Sequence, residues 1–475
     1  MPSRTKSCAL CRKKRMRCDA TVPECLMCVR FGRQCPGLTD GPLIVDMTKT
    51  ARYGMQKRKA RIPSTGIRAA AAARSIPNHT SVHRISQRGM MTEAFYERFL
   101  TYFTSKGEGK DIQNRLTWLH RLPLLSTDGT NDALVLALEA TASAYCATDN
   151  ISPALTRYAW DLYGKALQAH SRFVAQSRSR EEVTIHMVST SVLFSFFEAM
   201  QDTSANAYRS HIYGAAKMLE VTGPGQCTQG VLCQIFYHLR TQLAFVNLTG
   251  WGNERPVEVR RILHETLEYT RLPMFQRLMT HVTKLAEMLV MCENVDESGT
   301  ILQSVDLASY LLVKTEVESL WNEYSSAAAS SSEELSWCDS LSGTTQYRDS
   351  FTALTVAYFE SARILLANIP LQFTTSFLDP DDHYTVIMEA SQYLQTYDIG
   401  FAYMRMATPL LLVALYAPRE KQREEAIRCF ESWESRSLRG ISALALGKIN
   451  QRKAMNYSQE KKRISQSDLM AIMKT

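Results

Sequence analysis

The chain opens without an apolar run: MPSRTKSCAL is basic from Arg4 onward and has none of the hydrophobic stretch of a secretory signal. It also lacks a segment long enough to cross a bilayer. The longest purely apolar run, Leu410 to Ala417, lies between Pro409 and Pro418 and falls far short of the roughly 20 residues a spanning helix needs. No membrane partner is expected. Strand-like alternation is scarce, and so are the signatures of catalysis. His264-Glu265 has no second histidine at zincin spacing, no glycine-rich phosphate loop occurs, and Gly223-Pro224-Gly225 lacks the strand-then-helix context of a nucleotide site. No catalytic residue can be nominated, and an enzyme is not expected.

Acidic residues are sparse in one place only. Within residues 1–90, 19 Lys and Arg stand against 4 Asp and Glu, a balance of +15 that leaves −7 for the remainder of a chain whose formal net charge is +8. Such asymmetry points to a polyanion, nucleic acid first, at the N-terminal end. The rest is an ordinary, slightly acidic chain; 475 residues at 45% hydrophobic content suffice for a sizeable core and for two or three units.

Twelve cysteines are present, and a basic N-terminus without a signal favours a reducing compartment over a disulfide framework. Six of them form a regular module: Cys8, two residues, Cys11, six residues, Cys18, six residues, Cys25, two residues, Cys28, six residues, Cys35. It is one half-motif used twice. A Cys-x-x-Cys pair brings two thiolates to a metal from one tight turn, and the third cysteine returns after a short helix. Six thiolates cannot satisfy two tetrahedral zinc ions separately, since those need eight ligands, so two sulfurs must be shared. The cofactor implied is two Zn2+ per chain, and in a module this small metal binding supplies most of the folding free energy. A three-disulfide knot conflicts with the missing signal and the strict internal repeat. The other six cysteines, Cys146, Cys227, Cys233, Cys292, Cys338 and Cys429, are scattered and read as buried small hydrophobes.

Between Cys11 and Cys18 runs Arg12-Lys13-Lys14-Arg15-Met16-Arg17. A charge run alone is usually a solvated face; one pinned by metal ligands on both sides is an interaction surface. Arg and Lys in a major groove can donate to guanine O6 and N7.

The cysteine spacing, this basic run and Pro23 shortly before the fourth cysteine resemble the fungal binuclear zinc-cluster DNA-binding family over residues 8 to 35. The resemblance implies that Cys8 and Cys25 bridge the two metals and that Pro23 favours the turn closing the two halves. It implies a base-reading side chain at Arg15, where the family typically has lysine, directed at a CGG-type triplet. Lys14 precedes it, and arginine keeps the charge and gains a bidentate fork. Arg12, Lys13 and Arg17 then contact phosphates, which position the module without specifying sequence. Double-stranded DNA, a nuclear location and regulation of RNA polymerase II genes follow from the same likeness, as does a pathway-specific role in a specialised metabolite gene cluster.

The expected organisation is a zinc-cluster domain over 1–36, a basic linker over 37–90 and an all-helical regulatory domain over 91–475, an all-α fold in total. In the linker, Lys57-Arg58-Lys59 with Arg61 reads as a nuclear import signal, with phosphate contacts as the alternative. No sustained heptad follows the cluster, so a monomer and a homodimer formed through the C-terminal domain both stay open. Helical periodicity begins after Thr92 with Phe95, Phe99, Tyr102 and Phe103 and continues over 131–147, 153–176, 182–201, 205–221, 228–248, 256–293, 304–325, 346–368, 384–416 and 419–450. Residues 326–345, rich in Ser and Ala, and 370–383, with Pro370 and Pro380, read as surface loops. The first also mixes Glu333, Glu334, Leu335, Trp337 and Asp339, a composition seen in activation segments, though a solvated loop explains it equally well.

The segment His211-Ile212-Tyr213-Gly214-Ala215-Ala216, ending at Gly223-Pro224, resembles the fungal-specific transcription factor domain that commonly follows these clusters. That likeness implies contact with the transcription machinery, dimerisation or response to a small-molecule effector. His211 itself reads as a packing residue, and Phe194, Phe196, Phe197, Met404 and Met406 as core. A different class of function, a corepressor or scaffold whose cluster binds protein, is opposed by the concentrated positive charge.

Overall fold

In a computed structural model of the chain, two compact units separate, Met1–Arg74 and Ser75–Thr475. The structure describes residues 10–11, 18, 25–31, 35, 89–90, 93–94, 122, 125, 131–149, 152–178, 183–201, 204, 206–222, 230–250, 274–293, 305–370, 381–396, 400–436 and 438–472. In the first unit residues 10–11 are helical and α1 (Leu26–Arg30) lies between the fourth and sixth cysteines.

The second unit is helical, as expected. Its first helices with described bounds are α2 (Asp132–Asp149) and α3 (Pro153–Arg178). Asn131 accepts the Leu134 amide at 3.1 Å and starts α2; Ser152 does the same for Leu155 at 3.4 Å, with Pro153 in the first turn of α3, where its missing N–H costs nothing. Buried alanines at 137, 140, 142 and 144 let α2 pack closely on the stripe Ala159, Leu162, Tyr163 and Ala166 of α3.

α4 (Ile185–Gln201) is buried from Met187 to Met200 and forms the hub of this part, touching α2, α3, α5 (Ala207–Thr222) and α6 (Gly230–Leu248). α7 (Met274–Glu293) and α8 (Leu307–Ser330) follow, then α9 (Ser350–Asn368), which is again buried on nearly all sides. α10 (Asp381–Thr396) packs on α9, and a 3-10 turn (Gly400–Met406) leads into α11 (Ala407–Tyr416). The apolar run is thus an internal helix, buried from Ala407 to Leu415. No helix among the described residues is long and apolar enough to cross a membrane. α12 (Glu420–Arg436) and α13 (Arg439–Ile472) end the array, and α13 returns to pack on α4. That return depends on Gly440: a Cβ there would lie 2.2 Å from the Glu198 carbonyl oxygen.

Several elements differ from expectation. Residues 326–345 are not one loop. α8 runs on to Ser330 because Ala327, Ala328 and Ala329 are the best of helix formers, and the chain then makes a hairpin of β1 (Ser336–Cys338) and β2 (Thr345–Tyr347), with Ser336 opposite Tyr347 and Cys338 opposite Thr345. The span 384–416 is two helices and a 3-10 turn. The span 419–450 is also two helices, separated at residues 437–438 where α12 hands over to α13; Leu438 donates back to the Trp433 carbonyl and Ser442 to the Phe430 carbonyl. Apolar periodicity survives such reversals, so it marks the buried faces and conceals the break. Of the scattered cysteines, Cys146, Cys233 and Cys292 are buried and Cys429 partly so, but Cys338 is exposed on β1. Cys227, the aromatic series from Phe95 to Phe103, residues 256–273, Gly223-Pro224 and residues 371–380 lie outside the described residues.

His211 is a packing residue. Its Nε2 lies 2.9 Å from the Tyr163 hydroxyl, which donates to the Glu198 carboxylate at 2.5 Å. Burial pushes the His211 imidazole down to about 3 and the Tyr163 phenol well above its usual range, Glu198 adding to the latter. Phe194, Phe196 and Phe197 are buried around this group, and Met404 and Met406 are core. Glu293 at the end of α7 is a second polar node: burial raises its pKa, but Lys448, the Tyr416 hydroxyl and Arg452 outweigh burial and hold it below the usual carboxylate value.

Candidate metal centre

Five of the six module cysteines fall among the described residues, and they converge. The sulfurs of Cys11, Cys18 and Cys25 lie within 4.8 Å of one another, and so do those of Cys25, Cys28 and Cys35. Cys25 belongs to both groups. Cys11, Cys25 and Cys28 are buried; Cys18 and Cys35 are partly covered.

α1 explains how Cys25 reaches that position. Its backbone is extended (φ −73°, ψ 138°), so it stands outside the helix as the cap, and its Sγ accepts the Cys28 amide at 3.4 Å. The Cys25 carbonyl takes the amides of Cys28 at 3.0 Å and Val29 at 3.2 Å, the first bonds of the turn. Helix formation therefore sets the Cys25 and Cys28 sulfurs side by side, while the Cys25 amide points at the Cys35 Sγ 3.5 Å away. Arg30 closes the helix, exposed together with Val29 and Phe31.

The spacings fit a metal and not a disulfide. Cys11 Sγ lies 3.7 Å from Cys25 Sγ, which shares its triad, and 4.0 Å from Cys28 Sγ, which belongs to the other triad. Two sulfurs bonded to one tetrahedral zinc at about 2.3 Å stand about 3.8 Å apart, whereas a disulfide requires about 2 Å. None of the five forms a disulfide with another described residue. A donor set made only of cysteine sulfur, clustered and shielded, suits zinc in a closed structural site.

Residues 6–41 match the fungal Zn(2)-Cys(6) binuclear cluster domain. No curated protein and no solved structure matches the chain. The clustered sulfurs and this match give a module for two zinc ions, and a cluster domain of this kind implies DNA binding and transcription regulation. Nothing in the comparisons assigns a family to the helical unit. The remaining site residues named from the sequence, Cys8, Arg12, Lys13, Lys14, Arg15 and Arg17, with Pro23 and the basic group Lys57, Arg58, Lys59 and Arg61, lie outside the described residues. The doubled role of Cys25 was not derivable from spacing, which fixes how many sulfurs are shared but not which. A helix cap that is itself a ligand appears only in the fold.

Proposed function

We propose that this chain is a sequence-specific regulator of RNA polymerase II genes, acting in a fungal nucleus and reading a CGG-type triplet through its zinc cluster. The observation that carries this is the shared position of Cys25. Each sulfur triad is one ligand short of a tetrahedron, and the same unassigned cysteine, Cys8, completes both if it bridges as Cys25 does. Cys11 and Cys18 then serve one zinc and Cys28 and Cys35 the other. The role of the metals is to hold the module folded; the chain's own side chains do the recognition.

Between Cys11 and Cys18 the basic run is confined to one short segment, and both its ends belong to the same metal. Arg15 is the base reader: its planar fork donates two parallel hydrogen bonds to guanine O6 and N7. Arg12, Lys13 and Arg17 meet phosphates. Lys57, Arg58, Lys59 and Arg61 supply nuclear import. The helical unit serves regulation through the transcription machinery, a homodimer contact or a small-molecule effector, and a specialised metabolite gene cluster is the target class at the level of family analogy.

Fluorescence anisotropy on matched and scrambled duplexes tests the assignment. Arg15→Ala is expected to weaken matched binding by roughly 10- to 100-fold and scrambled binding far less, while Lys13→Ala weakens both alike and lowers the salt slope by about one. Equal losses on both duplexes for Arg15→Ala would remove Arg15 as base reader.

A further inference from the structure

The β1–β2 hairpin displays two large apolar side chains that the described residues leave exposed. Leu341 at its tip is 97% exposed and Trp337 on β1 is 44% exposed. Single exposed hydrophobics are ordinary on a protein surface, but these two sit on one rigid projection, and three features show that it is built.

The tip is fixed. Asp339 accepts the Leu341 amide at 3.2 Å, the Ser342 amide at 3.3 Å and the Ser342 hydroxyl at 2.6 Å. Backbone bonds from Asp339 N to Thr344 O and from Gly343 N to Asp339 O close the turn, and Gly343 takes the positive φ of 66° that it requires. Leu341 is therefore held outward at little further entropic cost. The base is fixed as well. Tyr347 is buried, its ring packs on Tyr393 with centroids 5.2 Å apart, and the Tyr393 hydroxyl donates to the Tyr347 carbonyl; Thr345 donates to Glu389 on α10. Arg348 pairs with Glu333 across the hairpin's foot. Finally, strand alternation sends Thr345 and Tyr347 inward and Trp337, paired with Gln346, to the other face. All three residues of β1 are exposed, and β1 pairs only with β2 among the described residues, so its outer edge is open.

Charge decides the occupant. Glu334, three residues before Trp337, is exposed, and hydrogen bonds from the Ser342 hydroxyl and the Leu341 amide hold Asp339 below the usual carboxylate range, while the one Lys or Arg within residues 331–349, Arg348, is already paired with Glu333. An acidic projection repels DNA and RNA, and two copies of it repel each other; a three-residue strand also offers far less than the roughly 800 Å² per partner of a stable dimer. We propose that the hairpin is a docking knob for another protein, one whose apolar cleft receives Trp337 and Leu341 and whose lysine or arginine rim faces Glu334 and Asp339. Preorganised aromatic and aliphatic anchors are what dominate such interfaces.

The test uses the full-length, zinc-loaded chain carrying a photo-crosslinking amino acid at position 341, irradiated in cells that express it. The expected result is a discrete adduct whose partner peptide, mapped by mass spectrometry, lies beside an apolar cleft bordered by Lys or Arg. That partner, made recombinantly, should bind the unlabelled chain, and Trp337→Ser or Leu341→Asp should each weaken it at least 10-fold. Glu334→Lys should weaken it less and abolish part of its salt dependence. DNA affinity and the thermal midpoint should stay at wild-type values, because all three side chains are exposed, and this separates failure here from failure of the DNA-binding reading. No adduct, an adduct with a second copy of the chain, or a partner indifferent to Trp337→Ser and Leu341→Asp would each overturn the proposal.

Discussion

At the scale of the residue, Cys25 concentrates more of the first unit than any other side chain described. It caps α1, accepts one amide, directs another at Cys35 and stands in both sulfur triads. Cys25→Ser is therefore expected to lose both zinc ions, whereas Cys18→Ser, whose sulfur belongs to one triad, perturbs one metal first; zinc released per chain under a thiol-reactive probe distinguishes the two. In the helical unit the corresponding residue is Gly440. With a Cβ 2.2 Å from the Glu198 carbonyl oxygen, Gly440→Ala must push α13 off α4, at a cost of roughly 1–3 kcal/mol, measurable as a shift of the urea midpoint. The sequence announced the first residue type and not the second. Six cysteines in a repeated spacing are legible because metal geometry constrains their chemistry, but a glycine needed for close approach looks like any glycine until its neighbour across the core is known.

At the scale of the element, periodicity located the helices and missed their ends. Ends are set by caps and by tertiary contacts, which leave a weaker trace in sequence than buried stripes do. Asp349 is an example: it follows β2 and accepts the Thr352 amide at 2.7 Å, so that one carboxylate ends the hairpin and starts α9. Asp349→Ala should cost about 1 kcal/mol by the loss of this cap, seen in a chemical denaturation curve. Two serine-rich stretches show the other side of the difficulty. Ser325 and Ser330 return their hydroxyls to carbonyls within α8, whereas Ser342 serves the hairpin turn, and composition alone cannot separate these uses. The all-α reading stands, and the hairpin, too short to show alternation, was the element it omitted.

At the scale of the whole molecule, buried histidines tie the helical unit to pH. Burial holds His170 at about 4 and His238 at about 3, below the unfolded value of about 6.5. A neutral histidine in the fold that protonates when unfolded contributes stability that is complete above about pH 6.5 and is lost as pH falls toward the folded values. At pH 5 each should have cost about 2 kcal/mol, so stability measured by denaturant at pH 7 and pH 5 should drop, and His170→Asn should flatten the drop. The return of α13 onto α4 has a consequence for synthesis. The hub helix near residue 190 finds its last covering only when residues beyond 439 have left the ribosome, so the growing chain carries an open apolar surface for more than half of its translation. A stop codon placed before α13 would leave a protein with its zinc-cluster module intact in sequence and its helical unit exposed to chaperones and proteases.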